Sequence, residues 1–171
     1  MILIGLGANI PSQAGAPDET LRAALRELRI RAVPVRAVSS LYGSPAWPDP
    51  RDPCFVNAVA RIETGLDPAR LLALLKEIER AFGRVSTSRN APRPLDLDIV
   101  DYDGRIEGGL PTLPHPRMHE RAFVLVPLSK IAPDWHHPVT GASVTELIAN
   151  LPAGAGAVTR LAGWGTGPEP E

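Results

Sequence analysis

Cysteine is nearly missing from this sequence. Cys54 stands alone, so no intrachain disulfide can form and nothing indicates an oxidising compartment. Between Pro53 and Phe55, at the start of an apolar run, it reads as a small hydrophobe at a strand edge rather than a nucleophile. Long hydrophobic runs are missing too. The apolar start, residues 1–6, is too short for a signal-peptide core or a membrane helix and has no basic flank, so a cytosolic protein is expected. Lysine is scarce: only Lys76 and Lys130 stand among 18 basic residues, and 19 acidic residues leave a net charge of −1. That balance excludes a generally basic nucleic-acid or membrane-surface binder, though not a local basic patch. All other basic residues are arginine, a bias with two readings: genome composition, or arginines that hold phosphate.

Several signatures fail as well. Gly5-Leu6-Gly7-Ala8-Asn9-Ile10 has Gly-x-Gly but Ile at the third glycine, so the dinucleotide fingerprint is broken. Neither lysine closes a glycine-rich phosphate loop, which excludes a Walker-type NTPase. Residues 98–104 lack the spacing of a calcium loop. His115 and His119 are four apart without the glutamate of a zinc-protease helix, and Pro116 interrupts them.

What is present suits one globular domain. The chain has 171 residues, 44% hydrophobic and 22% charged, and proline with glycine makes up about a fifth of it. Residues 1–153 are expected to form the domain and 154–171, rich in Gly and Pro, a flexible tail. Residues 2–8 read as a buried strand, 18–31 as a helix with Leu21, Leu25 and Leu28 on one face, and 35–42 as a strand. A stiff loop with four prolines covers 43–53, and 55–64 alternates as a strand, with Phe55, Asn57 and Val59 on one side. Asp67, Pro68 and Gly83 bracket a second helix whose stripe is Leu71, Leu75, Ile78 and Phe82. A polar loop then leads to a strand over 95–102, and Asp103-Gly104 predicts a tight hairpin turn. Beyond His115 come a short turn at 118–121, an apolar stretch at 122–128 and a helix over 143–150. This order predicts an α+β fold, a ferredoxin-like β-α-β-β-α-β sandwich with additional C-terminal elements.

Asp96 and Asp98 lie two apart on a strand, so both carboxylates project from one face while Leu95, Leu97 and Ile99 bury the other. Hard oxygens at this spacing suit magnesium completed by water and phosphate; salt bridges to nearby arginines are the alternative. Arg84, Arg89 and Arg93 precede the acidic strand, and Arg117 and Arg121 follow His115. The planar guanidinium matches phosphate oxygens, and carboxylate-bound metal beside an arginine loop is what phosphoryl transfer requires. Trp47, Phe55 and Asn57 offer a second pattern: aromatic faces to stack a flat heterocycle and an amide to read its edge. A core Phe55 with Trp47 as loop anchor is the plainer reading of the same residues.

These residues carry a resemblance. Gly5 to Asn9, 39–64, Arg89-Asn90-Ala91-Pro92-Arg93-Pro94-Leu95-Asp96-Leu97-Asp98-Ile99, and Leu113-Pro114-His115-Pro116 through Arg121-Ala122-Phe123 to Leu128 resemble the 6-hydroxymethyl-7,8-dihydropterin pyrophosphokinase family of folate biosynthesis. The resemblance implies pyrophosphoryl transfer from ATP to the hydroxymethyl group of the dihydropterin, releasing AMP by in-line attack at the β-phosphorus. Asp96 and Asp98 would hold two magnesium ions and, with Arg84 and Arg93, form the catalytic set. Arg84, Arg89, Arg93, Arg121 and His115 would contact the triphosphate, with Leu72, Lys76, Glu79, Ile99 and Thr112 around the nucleotide. Ser44, Pro45, Trp47, Phe55, Asn57 and Phe123 would form the pterin pocket, Phe55 and Phe123 sandwiching the ring. Loops 43–53 and 84–94 resemble loops that close over the substrates. The chain departs from some members at Asn90, at Leu110 and in Ser86-Thr87-Ser88 of a shortened loop. A monomer using small molecules only is expected. A palm-like nucleotidyltransferase and a non-catalytic binding module on the same fold are the competing readings.

Overall fold

The computed structural model describes residues 1–85, 91–153, 155 and 157–162. Its elements run β1 (Ile2–Ala8), α1 (Pro17–Ile30), β2 (Val35–Val38), β3 (Tyr42–Ser44), β4 (Phe55–Ile62), α2 (Pro68–Ala81), β5 (Asp96–Tyr102), a 3-10 turn (Met118–Glu120), α3 (Ala122–Ile131), α4 (Val144–Ala149) and β6 (Thr159–Arg160). The fold is α+β, with an antiparallel sheet ordered β5-β1-β4-β3-β6 and β2 paired with β4.

The helices start where local chemistry lets them. Asp67 accepts from the Arg70 amide and Pro68 fills the first turn of α2, where its missing N–H costs nothing. Ala16 cannot cap α1, and the Glu19 carboxylate reaches back to its amide instead, at 2.7 Å. Ser143 and Glu146 close a reciprocal capping box on α4.

The sheet has two apolar faces. Leu6, Ala58, Ala60, Leu97 and Ile99 meet α1 and α2 through Leu21, Leu25, Leu71, Leu75 and Ile78. Leu3, Val59 and Val100 meet α3 through Val124, Leu125 and Leu128 on the opposite face, where Trp135 and Val144 join them. Among the described residues, no helix is long and apolar enough to cross a membrane.

Four local expectations change. The strand expected over 35–42 is split, because the Ser39 hydroxyl accepts the Val59 amide at 3.1 Å in place of a ladder carbonyl. The Asp103-Gly104 turn forms with φ of 51° and 67°, but the segment after it does not return along β5. Instead Glu107 and Leu113 pair with each other, and the His115 amide donates to Val100 O at 3.0 Å. Cys54 is exposed just ahead of β4 rather than packed at its edge. Finally, a register shift in the β1–β5 pairing sends Val100 and Asp101 to the α3 face together. Asp101 there accepts from Trp135 Nε1 at 2.9 Å, and Tyr102 turns to the other core.

Candidate active site

On the α3 face the sheet is left open at the end where β1 finishes and β4 and β5 begin, and a cavity of about 1240 Å³ occupies that end. β1 lines it with Gly5, Leu6 and Gly7. Gly7 pairs with Asn57 on one side and Asp96 on the other. A Cβ there would stand 3.4 Å from Asn57 Oδ1 and 4.0 Å from Asp96 Cβ, so the missing side chain keeps the floor clear between them. Asn57 and Asp96 thus face one space from strands two spacings apart, roughly 10 Å.

The acidic side of the cavity is a set of three carboxylates and three cations. Arg84 leaves the end of α2 and pairs with Asp96, with Glu79 Oε1 at 2.9 Å, and with Leu95 O at 3.4 Å. Arg93 reaches the other Asp96 oxygen at 3.2 Å. Lys76 donates to Glu79 at 2.7 Å, Leu97 O at 2.8 Å and Asp98 at 3.3 Å. Burial works to raise the Asp96 pKa, but Arg84, Arg93 and Lys76 outweigh it and hold the carboxyl below its usual range. Glu79 is 2% exposed and its Oε1 also takes the Leu97 amide at 2.7 Å; burial outweighs these donors and leaves its pKa raised. Burial opposes the charge of Arg84, and Asp96 and Glu79 more than restore it. Asp98 is the freer of the two aspartates, its side chain 40% exposed.

His115 enters from the segment pinned along the outer edge of β5. Its Nδ1 accepts the Arg117 amide at 3.1 Å, so the neutral ring carries its hydrogen on Nε2. Burial lowers its pKa, against the pull of Asp98 and with the push of Arg121. Arg121 is held back from its usual basicity by burial and then by Arg117.

The other side of the cavity is aromatic and neutral. Asn57 is buried and donates through Nδ2 to Ser44 Oγ at 3.0 Å and Tyr42 O at 3.3 Å, which leaves Oδ1 turned toward Gly7. Phe55, Phe123, Trp47, Pro45 and Ser44 stand around it. A guanidinium lies against three of these rings: Arg93 on Phe55 at 5.9 Å, Arg121 on Phe123 at 5.5 Å and Arg117 on Trp47 at 5.5 Å.

The residues singled out from the sequence are thus largely brought together. Ser44, Pro45, Trp47, Phe55, Asn57, Lys76, Glu79, Arg84, Arg93, Asp96, Asp98, His115, Arg121 and Phe123 all line the one cavity. Three do not. Ile99 faces the α1–α2 core, Leu72 packs against that core, and Thr112 is exposed with its hydroxyl on Gly109 O. Arg89 and Asn90, with Ser86-Thr87-Ser88, lie outside the described residues, as do Gly154, Gly156 and residues 163–171.

Sequence reasoning missed Asn9. It is 4% exposed at the end of β1; its Oδ1 accepts the Arg93 amide at 2.7 Å, and its Nδ2 donates to Pro53 O at 3.1 Å. One amide therefore fastens both the arginine loop and the Pro-rich loop to the sheet. The only local signal was an amide directly after Gly-x-Gly-Ala, at the mouth of a buried strand.

The chain matches the model of the 7,8-dihydro-6-hydroxymethylpterin-pyrophosphokinase (HPPK) family over residues 3–133. A Synechocystis sp. protein named 2-amino-4-hydroxy-6-hydroxymethyldihydropteridine pyrophosphokinase is 40% identical over 151 residues, covering 87% of this chain and 75% of that protein. One of the same name from Methylorubrum extorquens is 40% identical over 149 residues, 86% of this chain and 91% of its own length. The folic acid synthesis protein fol1 of Pneumocystis carinii is 38% identical over 151 residues, and there the match spans 88% of this chain but 20% of the relative. With its cavity uniting a carboxylate–arginine cluster and an aromatic pocket, the chain belongs to the 7,8-dihydro-6-hydroxymethylpterin-pyrophosphokinase family and is a pyrophosphokinase of folate biosynthesis.

Proposed function

We propose that this chain transfers the pyrophosphoryl group of ATP to the hydroxymethyl oxygen of 6-hydroxymethyl-7,8-dihydropterin. The observation that carries the reading is the shared floor: Gly7 stands between Asn57 and Asp96, so a heterocycle on one side presents a one-carbon arm toward phosphates on the other. In the reaction the hydroxyl oxygen bonds to the β-phosphorus while the bond from that phosphorus to the α–β bridging oxygen breaks. AMP leaves with the bridging oxygen, and the hydroxyl proton is lost to solvent or phosphate.

The roles of the side chains follow from their positions. Asn57 Oδ1, its Nδ2 already committed, accepts from N–H groups on the pterin edge. Phe55 and Phe123 take the ring faces once a flat ligand replaces the guanidinium groups lying on them. Arg84, Arg93 and Arg121 turn from carboxylate and ring toward phosphate oxygens, and neutral His115 donates from Nε2. At an effective dielectric near 20, each such charge contact at 4 Å is worth about 4 kcal/mol before desolvation. By strand alternation from Leu97, whose backbone bonds to Lys76 and Glu79, the Ile99 peptide offers the nucleotide a free strand edge even though its side chain is turned away. Glu79 supports this edge from within and orients Lys76 and Arg84.

Magnesium is implied by the family, and the donor set suits it. Asp96 and Asp98 present hard oxygens to the cavity, and no group of three or more metal-ligating side chains is present among the described residues. That fits a cation completing its shell with water and phosphate oxygens. Asp96 and Asp98 would hold two such ions, which when bound would neutralise phosphate charge around the attacked phosphorus. The same reading takes β2 and β3 as one interrupted strand, which makes the sheet ferredoxin-like in order, β5-β1-β4-β2/β3.

The test is product analysis on the purified chain with ATP, magnesium and the hydroxymethyl dihydropterin. Pterin-dependent AMP with no ADP supports the reading. ADP formation, or pyrophosphate release that requires nucleic acid, overturns it.

A further inference from the structure

Of the three guanidinium–ring contacts in the cavity among the described residues, two belong to arginines with partners in the proposed chemistry. Arg93 pairs with Asp96, and Arg121 is disposed toward phosphate. Arg117 is different. Its only ion pair among the described residues is to Glu120 at 3.6 Å, with both side chains about half exposed, an arrangement that contributes little. Its guanidinium lies instead 5.5 Å from the Trp47 ring centroid.

Trp47 needs such a partner. It is 63% exposed within the Pro-rich segment 45–53. That segment is fastened at its ends, by Asn57 on Ser44 and by Asn9 on Pro53. Between those anchors its hydrogen bonds among the described residues are local, from Arg51 and Asp52 to Asp49. A planar guanidinium over an indole covers apolar surface and gains cation–π attraction without losing its own hydration. The turn that carries Arg117 is rigid at its base: His115 is pinned to Val100, and the Met118 amide closes on His115 O at 3.2 Å. The contact thus ties the segment over the aromatic end of the cavity to a fixed point on the phosphate side.

We propose that Arg117 is a positioning residue that clasps Trp47 and holds segment 45–53 over the pterin end of the cavity. The inference rests on the functional reading above and deepens it. Losing the clasp loosens pterin binding and leaves ATP binding alone, because the guanidinium lies on Trp47 at the aromatic end of the cavity.

The test compares Arg117→Met, Trp47→Leu, the double variant, and Arg117→Met in a Trp47→Phe background. Steady-state kinetics are run for both substrates, with acrylamide quenching of tryptophan emission in the ligand-free proteins. Arg117→Met is expected to raise the pterin KM about two- to five-fold, the range of an exposed cation–π contact, with ATP KM and kcat unchanged. It should also make emission more quenchable in the wild-type background, but not in the Trp47→Phe background. Added to Trp47→Leu, which leaves no ring to clasp, it should change nothing further; added to Trp47→Phe, it should still raise the pterin KM. A rise in ATP KM, equal rises for both substrates, or an unchanged pterin KM with unchanged quenching would overturn the proposal. If the wild-type chain makes no pterin-dependent AMP, the functional reading fails instead, and quenching alone still reports whether the contact exists.

Discussion

Replacing Asn9 with alanine should damage both halves of the site at once. The substitution removes the Oδ1 acceptor of the Arg93 amide at 2.7 Å and the Nδ2 donor to Pro53 O at 3.1 Å, and leaves the backbone bond from Asn9 N to Arg93 O at 3.2 Å in place. Two backbone groups are then left facing a void. Each stranded group costs about 1–3 kcal/mol, and both lie near the surface, so the low end applies: roughly 2–3 kcal/mol in total. In a chain of this size that lowers Tm by roughly 5–10 °C. Released loops should also raise the KM of both substrates about five- to ten-fold, from roughly 1–1.5 kcal/mol each. Asn9→Asp separates the halves. It keeps an acceptor for Arg93 but sets a carboxylate oxygen against the Pro53 carbonyl, so the pterin KM should rise while the ATP KM moves little. Calorimetry and two-substrate kinetics on both variants decide the matter. An Asn9→Ala protein with wild-type Tm and wild-type KM values would refute the claim that this amide fastens the loops.

The two aspartates should separate activity from stability. Asp98→Asn is expected to lower turnover about a thousand-fold, the loss of about 4 kcal/mol from one charge contact, while urea unfolding changes by less than about 1 kcal/mol because its Lys76 partner is half-exposed and 3.3 Å away. Asp96→Asn should lose turnover and stability together, since Arg84 and Arg93 are left without their shared carboxylate. Its stability deficit should also depend on pH. The folded-state pKa of Asp96 is lowered, so its contribution is present above the unfolded carboxyl value of about 3.9 and disappears as pH falls through the folded value. Urea titrations at pH 7 and pH 3 should show the wild-type advantage over Asp96→Asn shrinking at the acid end; a constant advantage would contradict the pairing.

Much of this was legible in the sequence because its signals are local. The alternation through β4, the Asp67–Pro68 start of α2 and the i, i+2 spacing of Asp96 and Asp98 each need only a few neighbouring residues to be read. Position in the cavity followed wherever strand alternation fixed it, as for Phe55 and Asn57. Several of the misses are long-range. The Ser39 hydroxyl interrupts a strand by bonding an amide 20 residues away, and the shift that turns Asp101 into the core is fixed by register against β1 and by Trp135. Asn9 acts on backbone groups 44 and 84 residues distant, and Arg117 on a ring 70 positions earlier, so no spacing rule could have marked them. The side-chain direction of Ile99 was readable from the alternation itself, since it stands opposite Asp98.

Oxygen labelling follows the pterin hydroxyl as it attacks the β-phosphorus across the Gly7 floor. With ¹⁸O in the hydroxymethyl group, mass spectrometry should find the label retained in the carbon–oxygen–phosphorus bridge of the pterin diphosphate and none in AMP. Label in AMP, or a diphosphate product without it, would contradict the account.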